Sequence, residues 1–156
     1  MKVKVLREVE VDVKRIHVSA YVRYWEDSEV NGESDVDLHE NRNATPKMPC
    51  AQKEDDEWYW CPEIDVETGQ VLNWKKGVTA KIHYKVCDEF ACIVYDVNDE
   101  EVCDYYEYVP RFMCPQDEGY GDYIIMNINE DGFIEDWSKW EAMDFITEAH
   151  PYAIKR

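Results

Sequence analysis

The chain is poor in basic residues, has no long apolar run and has no closely spaced cysteine pair. Of its 156 residues, 17 are Lys or Arg against 35 Asp or Glu, for a net charge of −18. A field of that sign repels nucleic acid and anionic membranes and draws in basic surfaces. Neither nucleic acid nor a membrane is therefore expected as a direct partner. No apolar run approaches the roughly 20 residues of a membrane span. The opening Met1-Lys2-Val3-Lys4-Val5 alternates and lacks a signal-peptide core. The expected setting is cytoplasmic, with reduced thiols. Cys50, Cys61, Cys87, Cys92, Cys103 and Cys114 include no C-x-x-C pair, which excludes a zinc-ribbon pattern. The chain also lacks G-x-G-x-x-G, the P-loop and G-x-S-x-G. His83 and Cys87 would share one face of a strand but stand about 13 Å apart, too far for a nucleophile–base hydrogen bond. No cofactor and no metal are expected.

What the chain does have is aromatic residues, short-period alternation and acid. Trp58 to Trp74 reads as a β-hairpin: Ile64 and Val66 alternate with acids, Glu67-Thr68-Gly69 turns, and Val71 begins the return. A looser copy runs from Tyr123 to Trp137 through Ile128-Asn129-Glu130-Asp131-Gly132-Phe133-Ile134. The copies differ by one residue before the glycine, which alters the turn type. Trp58, Trp60, Trp74 and Trp137 are expected to include anchors of the fold.

Near the N-terminus, Val9, Val11 and Val13 fall on odd positions, and Ile16, Val18, Ala20 and Val22 on even ones. The phase flips at Lys14-Arg15, which implies a bulge or turn. Thr79–Cys87 and Ala91–Val97 read as a further hairpin, with Asn98-Asp99 as the next turn. Ser138-Lys139-Trp140-Glu141 has capping-box spacing, and a short helix is expected to follow, ended by Pro151. The expected fold is mainly β: an antiparallel sheet or sandwich of successive hairpins with one short C-terminal helix, in a single domain over 1–156.

Residues 26–57 are acidic and poor in hydrophobes, and read as a long surface loop. Loops of that length inside a domain are commonly functional or disordered. The candidate binding residues are Glu26, Asp27, Glu29, Glu33, Asp35, Asp37 and Glu40, with Glu54, Asp55, Asp56 and Glu57 closing the same loop. A second candidate surface is Tyr105, Tyr106 and Tyr108, which are interleaved with acids rather than bases. Acid studded with aromatic rings suits Arg- and Lys-rich protein surfaces, through charge pairing and cation–π contact.

Val22-Arg23-Tyr24-Trp25-Glu26-Asp27, Ile64-Asp65-Val66-Glu67-Thr68-Gly69, Asn73-Trp74-Lys75-Lys76-Gly77, Lys85-Val86-Cys87-Asp88-Glu89, Tyr108-Val109-Pro110 and Tyr120-Gly121-Asp122-Tyr123 together resemble a group of small acidic β-rich proteins of phages and bacterial mobile elements. The resemblance covers most of residues 20–137. Its motifs are turn and hairpin signatures, so it identifies a fold group without an established activity, and no functional residue carries over. The stretch between Asp27 and Trp58 looks like an insertion relative to that group. The resemblance implies a mobile-element context, in which small acidic proteins often inhibit host defence, as anti-CRISPR proteins do.

The leading expectation is a non-catalytic protein that binds a basic surface of a nucleic-acid-binding protein by mimicking nucleic acid. Two other classes remain open: a metal- or thiol-dependent enzyme, and a structural or oligomeric accessory protein. Bound metal would mark the first and a large homo-oligomer the second.

Overall fold

The structure is a computed structural model, and it describes residues 2–4, 10–22, 25–85, 90–103, 109–110, 123–140 and 145–146. The longest strand, β2 (Glu10–Tyr21), carries the phase flip seen in the sequence. Val13 is buried before it and Ile16, Val18 and Ala20 after it. The register against β9 (Phe90–Asp96) slips between Val13 and Arg15, leaving Lys14 as the extra residue. A bulge thus lets one strand keep its hydrophobic face inward despite the change of parity.

Around β2 stands a seven-stranded sheet, all of whose pairings are antiparallel. It includes β1 (Lys2–Lys4), β5 (Ala51–Glu54), β6 (Glu57–Trp60), β7 (Glu63–Asp65) and β10 (Glu101–Cys103). A second antiparallel sheet has the order β12 (Tyr123–Ile128), β8 (Ala80–Lys85), β3 (Glu29–Val30), β4 (Glu33–Ser34). Val13, Ile16, Val18, Trp60, Ile64 and Val94 from the first sheet and Val30, Ala80, Ile82, Met126 and Ile128 from the second join one buried cluster.

The expected hairpin of Thr79–Cys87 with Ala91–Val97 does not form. β8 pairs with β12 and β3, whereas β9 pairs with β2 and β10. Alternation marks a strand but does not name its partner. The acidic segment 26–57 also differs from a plain loop. It contributes β3 and β4 to one sheet, β5 and the first residue of β6 to the other, and Val30 and Met48 to the core.

The chain's two Trp hairpins lock one another. Ile64 bridges Val71 in the first, Ile128 bridges Ile134 in the second, and Gln70 bridges Phe133 between them. The Val71 amide donates to the Gly132 carbonyl, and the Ile134 amide to that of Gly69. Gly69 and Gly132 both have positive φ. A Cβ on Gly69 would fall 2.5 Å from the Trp137 ring, and one on Gly132 2.8 Å from Trp74 Cβ. Each tryptophan therefore lies on the other hairpin's glycine. The Trp137 indole donates to Val66 O and the Trp74 indole to Val78 O. The one-residue difference between copies appears in the turns: the Gly69 amide bonds Asp65 O four residues back, the Gly132 amide Asn129 O three back.

Among the described residues no α-helix is shown toward the C-terminus. Trp137–Trp140 forms a 3₁₀ turn, and β13 (Phe145–Ile146) pairs antiparallel with β11 (Val109–Pro110). The strand pairing claims Phe145 and Ile146, which fall within the span expected to be helical before Pro151. The rest of that expected helix lies outside the described residues.

Candidate functional site

The site is built where the two ends of the acidic segment meet. At one end a 3₁₀ turn, Trp25–Asp27, buries Trp25 and leaves Asp27 exposed and Glu26 half-buried. At the other, β5 and β6 form a hairpin with Glu54 opposite Glu57 and Asp55-Asp56 as the two turn residues. Both aspartates have positive φ, 49° and 67°. That is the pattern of a type I′ turn, for which Asn-Gly is the favoured pair. Aspartate tolerates the left-handed region better than most residues, yet at a steric cost that glycine avoids. All four residues from Glu54 to Glu57 are exposed. Glu54 facing Glu57 is a like-charge cross-strand pair, which is destabilising. A stiff hairpin therefore presents four adjacent carboxylates at some cost to itself.

Between the two ends lies a cavity of about 240 Å³. Tyr21, Trp25, Trp58, Val22 and Leu38 supply its apolar wall, and Asp56, Glu57, His39 and Arg42 its polar one. Tyr21 also packs on Tyr59, with ring centroids 5.7 Å apart. The indole N–H groups of Trp25 and Trp58 are buried and have no acceptor among the described residues. By contrast the fully buried Trp60 donates to Pro49 O.

Of the acids expected to bind, Asp56 and Glu57 line this cavity, and Glu54 and Asp55 complete the same tip. Glu40 is exposed on the turn that carries His39 and Arg42. Glu29 and Glu33 belong to the other sheet, where Glu29 is paired to Lys81 at 2.6 Å. Asp27 lies 3.8 Å from His83 Nδ1. Asp35 and Asp37 turn inward in role. Buried Asp35 accepts from the amides of Val36, Lys47 and Met48, and so ties the segment's two halves together. Asp37 accepts from the amides of His39 and Glu40 and shapes the turn that reaches the cavity. Tyr105, Tyr106 and Tyr108 lie outside the described residues.

The sequence reading missed the aromatic wall and Arg42. The available signal was a tryptophan at each end of the acidic stretch, Trp25 and Trp58.

Cys50 and Cys61 are held in their protonated form. Burial first, then the neighbouring Cys61 and Glu63, pushes the Cys50 thiol up to about 12. Burial also raises Cys61, against a lowering contact with Ser19. A nucleophilic thiol needs the opposite shift. Among the described residues, no three His, Cys, Asp or Glu side chains gather as metal ligands, and no helix is long and apolar enough to cross a membrane. No family model, no curated protein and no solved structure matches this chain.

Proposed function

We propose that the protein is a non-catalytic acidic binder that docks the β5–β6 tip on a basic surface of another protein. The observation that carries this reading is the tip itself: two aspartates in the left-handed region and two glutamates placed opposite each other. Local backbone strain combined with like-charge crowding on an exposed turn is what selection for a surface, rather than for stability, leaves behind. The net charge of −18 extends the same field over the molecule, and such fields accelerate encounter with basic partners.

The partner class that fits is a nucleic-acid-binding protein, whose groove is basic and accepts rows of anions. The family resemblance adds a context for it: a phage-encoded inhibitor of a nucleic-acid-targeting defence system, anti-CRISPR-like, acting in a bacterial cytoplasm by nucleic-acid mimicry. The thiol-based alternative has the raised Cys50 and Cys61 against it.

The test is kinetic. Asp55→Lys, Asp56→Lys and Glu57→Lys together should slow association with an arginine-rich polypeptide more than they speed its dissociation. Affinity of the unaltered protein should fall as salt rises, since the Debye length is roughly 8 Å at physiological ionic strength. Equal association rates for the reversed and unaltered tips, at low salt, would refute the docking role. Deleting residues 28–56 is no substitute, because it removes Val30, Met48 and three strands.

A further inference from the structure

The cavity behind the tip has the size and chemistry of a pocket for one residue. Its volume of about 240 Å³ lies below the roughly 300–1,000 Å³ of small-molecule and cofactor sites. Tyr21, Trp25 and Trp58 give it aromatic walls, and Asp56 and Glu57 give it two acceptors. The indole donors of Trp25 and Trp58 lack acceptors among the described residues. Both nitrogens are closed off even from water, so a guest would register at these indoles through their rings rather than by a new hydrogen bond. The matching guest brings donors for the carboxylates and a face for the rings.

We propose that the cavity takes a single arginine residue of the partner polypeptide. Its guanidinium meets Asp56 and Glu57 and lies against the rings. This rests on the docking role proposed above and names the anchor of that contact. Arginine fits better than lysine because the planar guanidinium stacks on rings and bonds carboxylates two at a time. An anionic guest would find His39 and Arg42 on the lining, but it would enter against a net charge of −18. Arg42 is exposed and makes no ion pair among the described residues. It acts as a like charge at the mouth, so its removal reads out the sign of the guest.

The probe is acetyl-Gly-Arg-Gly-amide, compared with its lysine, citrulline and glutamate counterparts and titrated while the indole N–H resonances are followed. The arginine peptide should shift the Trp25 and Trp58 signals saturably and bind roughly tenfold tighter than the lysine and citrulline peptides, the worth of a stacked, paired guanidinium. The glutamate peptide should leave both signals in place. Arg42→Ala should tighten the arginine peptide by about threefold through lost repulsion. Absence of a saturable shift at these two indoles, or weaker arginine binding in Arg42→Ala, overturns the proposal. Tighter binding of the glutamate peptide identifies an anion pocket and overturns it as well. Leu38→Trp, which fills the cavity, should abolish the shift. On a long arginine-rich polypeptide, Glu54→Lys with Asp55→Lys alters the tip but not the cavity lining. If that pair weakens binding and Leu38→Trp does not, the pocket fails while the docking role stands. If neither variant matters, both fail.

Discussion

Two kinds of tight turn in this molecule solve the same backbone problem with opposite residues. At Gly69 and Gly132 the chain takes positive φ with a tryptophan ring of the other hairpin directly above it. At Asp55 and Asp56 the chain takes positive φ in the open, with both side chains exposed. Glycine is demanded in the first case twice over, by the dihedral and by the ring. In the second case glycine would serve the backbone better, yet aspartate is there. The first pair of turns holds the fold, and the second offers a surface. Under the docking role proposed above, the contrast separates residues that answer to packing from residues that answer to a partner.

The sharpest way to break that contrast is to add one methyl group. Gly69→Ala places a Cβ 2.5 Å from Trp137 Cγ at φ +75°. Left-handed strain and overpacking together should lower unfolding stability by about 4 kcal/mol. Gly132→Ala, beneath Trp74, should behave alike. Urea denaturation measures both, and a loss below about 1 kcal/mol at either glycine would dissolve the interlock.

Trp137→Ala and Trp74→Ala come next, at about 3 kcal/mol each, the low end for a buried aromatic because both rings are half-buried. Reciprocity makes a stricter demand. Trp137→Ala clears the space above Gly69, so the double variant Gly69→Ala/Trp137→Ala should lose less than the sum of the singles, by about 1 kcal/mol or more. Strict additivity would mean that the ring and the glycine do not meet.

Much of each Trp hairpin could be read in the chain, and the reason is local. Glycine within two residues of an acid, hydrophobes at alternate places and a closing tryptophan are properties of contiguous residues, and so is the phase flip that became the β2 bulge. What could not be read is which strand meets which. Residues 80–85 and 90–96 alternate equally well, yet they pair in different sheets. The mating of the two Trp hairpins is likewise a long-range contact between similar sequences. The candidate site divides along the same line. The Glu54–Glu57 tip was visible as a charge run, whereas the cavity brings together Tyr21, Trp25, Leu38 and Trp58 from separate turns and strands. Asp35 was indistinguishable in sequence from its exposed neighbours. Only the amides of Lys47 and Met48, 12 and 13 residues away, make it structural.

The foot of the β5–β6 hairpin extends the comparison to pH. Cys50 sits there with its thiol bonded to Asn73 O at 3.1 Å and its pKa pushed up to about 12 by burial. A thiol with a raised folded-state pKa favours folding while it is protonated. Its contribution is complete below about pH 8.5, the unfolded value, and is lost as pH rises through the folded one. Stability of the unaltered protein should therefore fall between about pH 9 and pH 12 more steeply than that of Cys50→Ala. The difference between the two urea midpoints removes the lysine and tyrosine titrations that share this window. Parallel curves would show that Cys50 carries no such linkage, and that the hairpin's foot is as open to solvent as its tip.

The tip itself should yield the smallest change in stability and the clearest change in function. Asp55→Asn with Asp56→Gly restores the favoured type I′ pair and removes two of the four crowded charges. Relief of left-handed strain and of like-charge repulsion should raise unfolding stability by about 0.5–1 kcal/mol. The fold asks nothing of these aspartates that asparagine and glycine cannot supply, since both side chains are exposed. Binding to an arginine-rich polypeptide should weaken at the same time, and its dependence on salt should become shallower as fewer charges take part. A variant that gains stability and loses affinity places the cost of Asp55 and Asp56 on the side of recognition. If the substitution destabilises the protein instead, the two aspartates belong with Gly69 and Gly132 as turn residues the fold requires, and the tip would lose its claim to be a docking surface.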